Sequence, residues 1–571
     1  MRLFRPVVCS GVVAAAVCCG LAGAAPPAAA GPAAAAGGSW GTAQEVRGLP
    51  NYSSGPLGQV ESVSCAAPGD CAAAGQFAAS NGANEVFVVN QAGGSWGTAK
   101  EVPGIASLNG AGQAKVLSMS CASPGNCAAG GYYTTSTAQE AFVVNQTGGS
   151  WGAAKETAAS LNTGEGAQVT SVSCASPGNC AAGGYYTTST GAQEAFVVNQ
   201  TGGSWGAAKE VPGTAALNTR GQAKVYSVSC TSPGNCSAGG SYFATGPYIG
   251  AFVVTETSGS WGTAKETAAA LNTGGSAQVT SVSCASPGNC AAGGQFSTAT
   301  GADEAFVVDQ AGGSWGAAEE VPGTAALNIH GGAGVSSVSC ASPGNCAAGG
   351  HLSGSSGQEA FVVDETGGSW GTAEETAAAL NTGGSAQATS VSCASPGNCA
   401  AGGYLSGSSG LEAFVVDETG GSWGTAEVVP GTANTEVDAE VEMVSCASPG
   451  ICAAGGYYMA RAYSRPFVAY EAQATSTSLS LSAAKVTYGE EQAERLSAAV
   501  TAQFTGAPAG AVTIKSGTGT VCTITLASAK GSCTLTASQL AVGTHTLTAT
   551  YDGNGYYNPS TSAKKTLTVV S

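Results

Sequence analysis

Cysteine is the residue type with the clearest potential for chemistry in this 571-residue chain, which contains 21 cysteines and only 3 histidines. Eight cysteine pairs share the spacing C-x5-C, and each pair encloses a short turn such as Ala-Ser-Pro-Gly-Asn. Opposite positions on an antiparallel hairpin are close enough for a disulfide. A metal site would need further ligands, and no histidine recurs beside the pairs; the redox motif C-x-x-C is absent. We therefore expect eight disulfides and no metal site. The pairs are Cys65/Cys71, Cys121/Cys127, Cys174/Cys180, Cys230/Cys236, Cys284/Cys290, Cys340/Cys346, Cys393/Cys399 and Cys446/Cys452.

Residues suited to catalysis are scarce. A glutamate recurs before an apolar Phe-Val-Val run in most repeats. Since a catalytic residue usually occurs in only one copy of a repeated unit, we expect these glutamates to be solvated or structural. Glu436, Asp438, Glu440 and Glu442 alternate and would share one face of a strand. Their oxygens suit calcium, although a solvated acidic face is the interpretation we favour. We expect no catalytic residue and no cofactor.

One recurring position suits ligand binding. In each repeat, a glycine or diglycine follows the second cysteine of the pair, and the residue directly after it can form a hydrogen bond in all eight copies. Tyrosine, glutamine and histidine at this position suit a glycan. Ordinary half-exposed polar residues are the alternative. Ser241 is the eighth member of the set, and the seven candidates for ligand binding are Gln76, Tyr132, Tyr185, Gln295, His351, Tyr404 and Tyr457.

The elements that carry these residues form a repeat. All 8 tryptophans lie in Gly-Ser-Trp-Gly, and successive first cysteines are 53 to 56 residues apart. One unit contains four strand-like segments, Lys224 to Cys230, Cys236 to Tyr242, Ala251 to Thr255 and Ser260 to Glu266. A period near 50 residues with one tryptophan per copy predicts a β-propeller with one blade per repeat. The tryptophans are then expected to pack between blades.

The order of segments predicts how the propeller closes. The chain begins with a fourth-strand segment at Trp40 and ends its repeats with a third-strand segment, Phe467 to Tyr470. The N-terminal strand can therefore complete the last blade and remove the exposed sheet edges. We predict an all-β protein with an eight-bladed propeller over residues 39–471.

The repeat unit resembles a kelch-type propeller blade. The diglycine Gly183-Gly184 and the tryptophan Trp205 match the kelch pattern, but the cysteine pair departs from it. The resemblance covers Ser39 to Glu471 and implies binding of proteins or glycans, since only a minority of kelch-like propellers are oxidases. His330 and His351 invite comparison with copper radical oxidases. Such sites also need a tyrosine cross-linked to a cysteine, and the cysteines here are already paired.

Thr475 to Ser571 resembles the bacterial Ig-like domain, group 3, through segments such as AGAVTIKSG and a final TLTV strand. The resemblance implies a β-sandwich of spacer or adhesive type over residues 472–571. It also implies a ninth disulfide, between Cys522 and Cys533 on adjacent strands.

The N-terminus predicts export. Arg2 and Arg5 precede an apolar core from Val7 to Leu21 and the cleavage-like Ala22-Gly23-Ala24. We therefore expect a signal peptide over residues 1–24, an Ala/Gly/Pro-rich leader over 25–38, and a soluble, extracellular product, with retention at the cell surface left open. Nucleic acids and anionic membranes attract basic proteins, and the net charge of −17 therefore does not favour either as a partner.

Comparison of the repeats indicates where a ligand would bind. The turns within the cysteine hairpins and before each tryptophan are nearly constant, whereas the loops between second and third strands vary, so recognition is expected at the variable end. We predict an exported, non-catalytic binding or adhesion protein whose partner is an extracellular glycan or protein. The alternatives are a purely structural or adhesive surface spacer and a glycan-active hydrolase or oxidase.

The charge at one further position changes along the repeats. The fourth residue after each tryptophan is glutamine once, then lysine four times, then glutamate three times. In order these are Gln44, Lys100, Lys155, Lys209, Lys265, Glu319, Glu374 and Glu427. In a closed ring a basic arc would face an acidic arc, and drift after duplication is the simpler interpretation.

Overall fold

The structure is a computed structural model that describes residues 39–49, 58–246, 248–407, 410–432, 437–460, 463–503, 506–554 and 556–571. The predicted signal peptide and leader and Glu436 lie outside these residues. The described chain is all-β apart from a few one-turn helices, with eight small sheets followed by the two sheets of the C-terminal domain. We number the eight small sheets in chain order and, within each, count strands from the one that carries the first cysteine.

Each of the first four sheets has three long strands and two short outer pieces. The first sheet contains Gly58–Ala67, Asp70–Ala78, Asn84–Ala92, Ser95–Trp96 and Lys100–Glu101. The second contains Ala114–Ser123, Asn126–Thr134, Gln139–Thr147, Ser150–Trp151 and Lys155–Thr157. The third contains Gln168–Ser176, Asn179–Thr187, Gln193–Thr201, Ser204–Trp205 and Lys209–Glu210. The fourth contains Lys224–Ser232, Asn235–Phe243, Ile249–Thr257, Ser260–Trp261 and Lys265–Thr267.

The other four sheets follow a similar plan, except that the sixth and seventh have only one short outer strand each. The fifth contains Ala277–Ser286, Asn289–Ser297, Asp303–Ala311, Ser314–Trp315 and Glu319–Glu320. The sixth contains Gly334–Ser342, Asn345–Gly354, Gly357–Asp364 and Glu374–Thr376. The seventh contains Ala386–Ser395, Asn398–Ser406, Leu411–Asp417 and Glu427–Val428. The eighth contains Val437–Ser448, Ile451–Ala460, Tyr463–Ala472 and the N-terminal pieces Ser39–Trp40 and Gln44–Glu45.

The fourth strand differs from the expectation of one continuous segment. In the fourth sheet it is split into Ser260–Trp261 and Lys265–Thr267. Between them the backbone N–H of Ala264 donates to the carbonyl of Pro212, which lies in the linker after the third sheet, at 2.7 Å. This inter-sheet bond takes a donor away from the ladder, so the outer strand is interrupted.

A disulfide joins the cysteine hairpin of each small sheet, with a Cα–Cα distance of 3.9 to 4.0 Å. In the third sheet Cys174 lies directly opposite Cys180. The first two strands of each small sheet are therefore cross-linked beside their shared turn. The eight bonds are Cys65–Cys71, Cys121–Cys127, Cys174–Cys180, Cys230–Cys236, Cys284–Cys290, Cys340–Cys346, Cys393–Cys399 and Cys446–Cys452.

The two cysteines of a pair differ in burial, which the spacing did not predict. The first cysteine is half-buried in every sheet, whereas the second is buried because it lies on the middle strand and faces the neighbouring sheet. Cys127 of the second sheet shares a core with Ala72 of the first, and Cys290 Sγ of the fifth sheet lies 3.5 Å from Ser237 Oγ of the fourth. The pairs are therefore not simple surface clips. All eight second cysteines are only 4 to 7% exposed and belong to the core, not to an accessible site.

Hydrophobic cores lie between neighbouring sheets. In the core between the second and third sheets, Val143 of one packs with Val169 and Phe196 of the other. The diglycine of the second strand permits this approach: a Cβ on Gly183 would lie 2.6 Å from Cγ1 of Val225 in the next sheet, and one on Gly184 would lie 1.9 Å from the carbonyl oxygen of Gln168. In the third sheet a side chain at either position would force the strands or sheets apart, whereas the first sheet has a fully buried alanine, Ala74, at the position equivalent to Gly183.

A repeated hydrogen bond joins each sheet to the next. The backbone N–H of the first cysteine donates to a serine Oγ of the preceding sheet at 2.9 to 3.0 Å; for Cys174 the acceptor is Ser120. The series returns to its start, because the Cys65 N–H of the first sheet donates to Ser445 Oγ of the eighth at 2.9 Å. The apolar core that contains Val60 of the first sheet also includes Val468 of the eighth. The contacts between the eight sheets therefore form a closed cycle.

The linkers between sheets are held by asparagine. Before the fourth sheet, Asn218 Nδ2 donates to the carbonyl of Gln193 at 2.9 Å and to the carboxylate of Glu194 at 2.8 Å. The recurring glutamates at this position thus fasten the linker in several sheets. Three of the longer linkers also form one helical turn each, at Ile105–Leu108, Thr214–Leu217 and Thr324–Leu327.

The C-terminal domain is a sandwich of a three-stranded and a six-stranded sheet. The smaller sheet contains Thr475–Leu481, Arg495–Ala502 and Lys530–Thr534, and a 3-10 turn lies at Glu491–Ala493. The larger contains Lys485–Thr487, Gly510–Ser516, Gly519–Leu526, Gly543–Tyr551, Ser560–Thr561 and Lys565–Val570. The disulfide Cys522–Cys533 joins strands that are consecutive in the chain but belong to different sheets, because the chain crosses the sandwich between them.

Candidate functional site

The structure places the seven predicted ligand-binding residues at one register position of the second strand in seven sheets. Each lies directly opposite a residue of its first strand, at the end where the variable loops emerge. We call these pairs, with the pair that contains Ser241, the inner polar belt. The pairs are Gln59/Gln76, Lys115/Tyr132, Gln168/Tyr185, Lys224/Ser241, Gln278/Gln295, Gly334/His351, Gln387/Tyr404 and Glu440/Tyr457.

Side chains of the belt interact within and between sheets. Within sheets, Tyr404 Oη donates to Gln387 Oε1 at 3.2 Å and Tyr457 Oη donates to Glu440 Oε2 at 3.3 Å. Between sheets, Lys224 Nζ lies 4.6 Å from the centre of the Tyr185 ring, a cation–π geometry. Burial lowers the pKa of Lys224 and raises the pKa of Tyr185. The belt is therefore a partly desolvated surface with both aromatic faces and hydrogen-bonding groups.

Acidic residues collect where the eighth and first sheets meet. Register shifts interrupt the strand beside Asp438 and Glu442, so the acidic run is not one solvated face as the sequence suggested. Glu440 and Glu442 are half-buried. Burial, with the charges of Glu440 and Glu61, raises the pKa of Glu442 to about 8. Lys115 Nζ forms an ion pair with Glu61 at 2.9 Å and partly compensates this charge.

His351 stands out among the belt residues. Its ring is half-buried, its Nδ1 has no hydrogen-bond partner, and burial lowers its pKa. Every cysteine among the described residues is in a disulfide, which leaves none of them to cross-link a tyrosine as a copper radical site requires. Within the described ranges, no group of three or more His, Cys, Asp and Glu side chains could hold a metal ion.

Three equivalent pockets lie at the opposite end, among the constant turns. One lies between the first and second sheets and has a volume of 400 Å³, one lies between the third and fourth with 440 Å³, and one lies between the sixth and seventh with 370 Å³. In each pocket, one sheet contributes the two residues that directly follow its Phe-Val-Val run. The next sheet contributes the second residue after its own Phe-Val-Val run. Sequence reasoning missed them because each is built from two repeats.

The polar lining of these pockets differs in charge. The pocket between the first and second sheets has the amides Asn90, Gln91 and Gln146. The pocket between the third and fourth has Asn199, Gln200 and Glu256. The pocket between the sixth and seventh has Asp364, Glu365 and Glu418. The change from Asn-Gln to Asp-Glu after the Phe-Val-Val run is the sequence signal that could have revealed it.

Comparison with known proteins bears on the C-terminal domain. Residues 479–570 match the family model of the bacterial Ig-like domain (group 3). No curated protein matches the chain. Together with the disulfides, the Ig-like domain fits an extracellular adhesive or binding protein. No helix of the described residues is long and apolar enough to cross a membrane.

Several solved structures share a distant likeness. A protein of unknown function from Dyadobacter fermentans is 9% identical with a TM-score of 0.34, over 76% of this chain and 98% of that one. A GH74 xyloglucanase from Xanthomonas campestris is 11% identical with a TM-score of 0.35, over 92% of this chain and 81% of that one. Likenesses at this level carry no functional argument.

Proposed function

We propose that the eight small sheets form an eight-bladed, kelch-like β-propeller, and that the N-terminal strand completes its last blade. The closed cycle of serine–cysteine hydrogen bonds supports this arrangement. So does the pairing between the first and last strands of the repeat region, in which Trp40 lies opposite Glu471 and Gln44 opposite Val468.

The function that this geometry supports best is non-catalytic recognition of an extracellular glycan or protein by an exported adhesion protein. The inner polar belt is the observation that carries it. At one end of the molecule, the belt supplies tyrosine rings and amide, imidazole and hydroxyl groups at repeated positions. The apolar faces and hydroxyl groups of a sugar match such a surface. The variable loops beside it would set specificity.

A glycan array and a panel of extracellular matrix proteins, probed with the secreted full chain, test this function. Tyr132→Ala combined with Tyr404→Ala should weaken binding at least tenfold, because each change removes an aromatic face and a hydroxyl from the belt. Tyr488→Ala is the matched control, since Tyr488 is 48% exposed in the Ig-like domain and far along the chain from the belt. Binding that is equal in both variants would place the ligand elsewhere, and an absence of ligands would favour a purely structural spacer.

A further inference from the structure

We propose that the pocket between the sixth and seventh sheets, lined by Asp364, Glu365 and Glu418, is a second binding site that takes an alkylammonium group. This site lies at the end of the constant turns and does not depend on recognition by the inner polar belt. The ammonium group would be that of a small diamine or of a lysine side chain.

The first observation is a buried carboxylate without a partner. Glu418 is 4% exposed and lines the pocket, yet its Oε2 has no hydrogen-bond partner. A buried acceptor left unsatisfied destabilises a protein, and a charged one does so more strongly. Burial, with the charge of Asp364, raises the pKa of Glu418 to about 7. A bound cation with N–H donors would remove both penalties.

The second observation is the repetition of this feature at the same position. Glu256 in the pocket between the third and fourth sheets is 2% exposed, and its Oε2 also lacks a partner. Gln146 in the pocket between the first and second sheets is 4% exposed and has an unpartnered Oε1. Three pockets thus present an unsatisfied acceptor at one equivalent site, which indicates a ligand-facing position.

The lining of the proposed site selects a cation. The carboxylates of Asp364 and Glu418 interact across it, and no lysine or arginine is among its lining residues. The carboxylate of Glu365 interacts instead with Asp309 and Glu319 of the fifth sheet. Trp423 Nε1 donates to Asp364 and leaves other lone pairs of that carboxylate free for a ligand. Among the described residues, no three His, Cys, Asp or Glu side chains are placed so that they could hold a metal ion. An organic cation is therefore the better match for this site. The 370 Å³ volume admits a chain of several methylene groups.

Between the eighth and first sheets, the position equivalent to these pockets holds a side chain from outside the repeats. Tyr556 of the Ig-like domain lies against Gly69 and Gly94, the equivalents of glycines that line the pocket between the third and fourth sheets. A Cβ on Gly69 would lie 1.8 Å from Tyr556 Oη. One inter-sheet position is therefore already occupied by a long polar side chain.

Isothermal titration of the full chain with 1,5-diaminopentane tests the proposal, with 1,5-pentanediol as the uncharged probe of the same length. A second arm uses Nα-acetyl-lysine methylamide. Binding of the diamine alone assigns a two-charge ligand, and binding of both amines assigns a single ammonium group such as a lysine side chain. Absence of amine binding, or equal binding of the diol, overturns the proposal.

The chain supplies its own matched variants. Asp364→Asn, Glu365→Gln and Glu418→Gln together reproduce the amides that the pocket between the first and second sheets already contains, so the fold should tolerate them. This variant should lose at least tenfold in diamine affinity. Asn90→Asp with Gln146→Glu, in an otherwise unaltered protein, should add a second, weaker site. Unchanged affinity in the amide variant would overturn the assignment, and Glu418→Gln alone, a nearly isosteric change, provides the same readout if the triple variant does not fold.

Discussion

Trp423 Nε1 lies 2.9 Å from Oδ2 and 3.1 Å from Oδ1 of Asp364, a residue of the preceding sheet. Seven of the eight tryptophans make the equivalent inter-sheet bond, to an aspartate, an asparagine or, once, a threonine. They are Trp40, Trp151, Trp205, Trp261, Trp315, Trp370 and Trp423. Trp96 is the exception: its Nε1 is buried without a partner, and Tyr470 occupies the acceptor position before it. The tryptophans therefore join sheets and do not form a ligand platform.

The exception provides a matched pair of substitutions. Trp205→Phe removes the 2.7 Å bond from Trp205 Nε1 to Asn145 Oδ1, whereas Trp96→Phe removes an indole that has no partner. Loss of packing is similar at the two half-buried sites. We expect Trp205→Phe to lower the free energy of unfolding by about 1–2 kcal/mol more than Trp96→Phe does. Chemical denaturation of the two variants measures the difference, and equal values would remove the energetic role of the bond.

The pairing of the N-terminal strand with the eighth sheet should contribute measurably to the stability of the protein. Trp40 is 5% exposed, donates to Asp417 at 3.1 Å, and belongs to the core between the seventh and eighth sheets. Deletion of residues 39–46 should lower stability by at least about 3 kcal/mol, as for loss of a buried tryptophan. Deletion of residues 25–38 is the control. Thermal unfolding that gives the same midpoint for both truncations would show that the pairing with the last sheet contributes nothing.

Local patterns in the sequence predicted the units of the fold well. The strands Lys224–Ser232 and Asn235–Phe243 include the segments predicted from apolar alternation and from the turn that the cysteines flank. These features depend on neighbours a few residues away. The match of residues 479–570 to the bacterial Ig-like domain likewise agrees with the resemblance seen in the sequence.

Features that depend on two sheets at once could not be predicted in this way. The split of the outer strand follows from the bond between Ala264 and Pro212, which belong to different repeats. The burial of a second cysteine such as Cys290 follows from the sheet packed against it. The pocket at Glu418 exists only where two sheets meet. One repeat, taken alone, contains none of this information.

Stability should fall as the pH rises toward neutrality. Burial raises the pKa of Glu365 and of Glu418 to about 7, from a usual value of 4.5. Between these values the folded protein holds more protons than the unfolded chain, so the free energy of unfolding decreases with pH and levels off above about pH 8. Glu365→Gln with Glu418→Gln should flatten this dependence. Melting temperatures at pH 5, 6.5 and 8 for both proteins provide the measurement, and a slope that is unchanged in the variant would contradict the assignment.

The last prediction concerns the charges on the outer strands. Four lysines and three glutamates are exposed at one register position, opposite the valine that follows the phenylalanine of each third strand. They are Lys100, Lys155, Lys209 and Lys265, followed by Glu319, Glu374 and Glu427. In a closed propeller, a basic arc would therefore face an acidic arc.

Such arcs contribute little to folding, because exposed charges are screened over about 8 Å at physiological salt. They can, however, orient two copies of the molecule so that the basic arc of one meets the acidic arc of the other. We expect weak self-association at about 20 mM salt, where the screening length is about 22 Å, and none at about 500 mM, where it is about 4 Å. Lys→Glu at positions 100, 155, 209 and 265 together should abolish it, while Lys→Arg at the same positions should preserve it. Sedimentation velocity that shows the same monomer at both salt concentrations would leave drift after duplication as the explanation of the pattern.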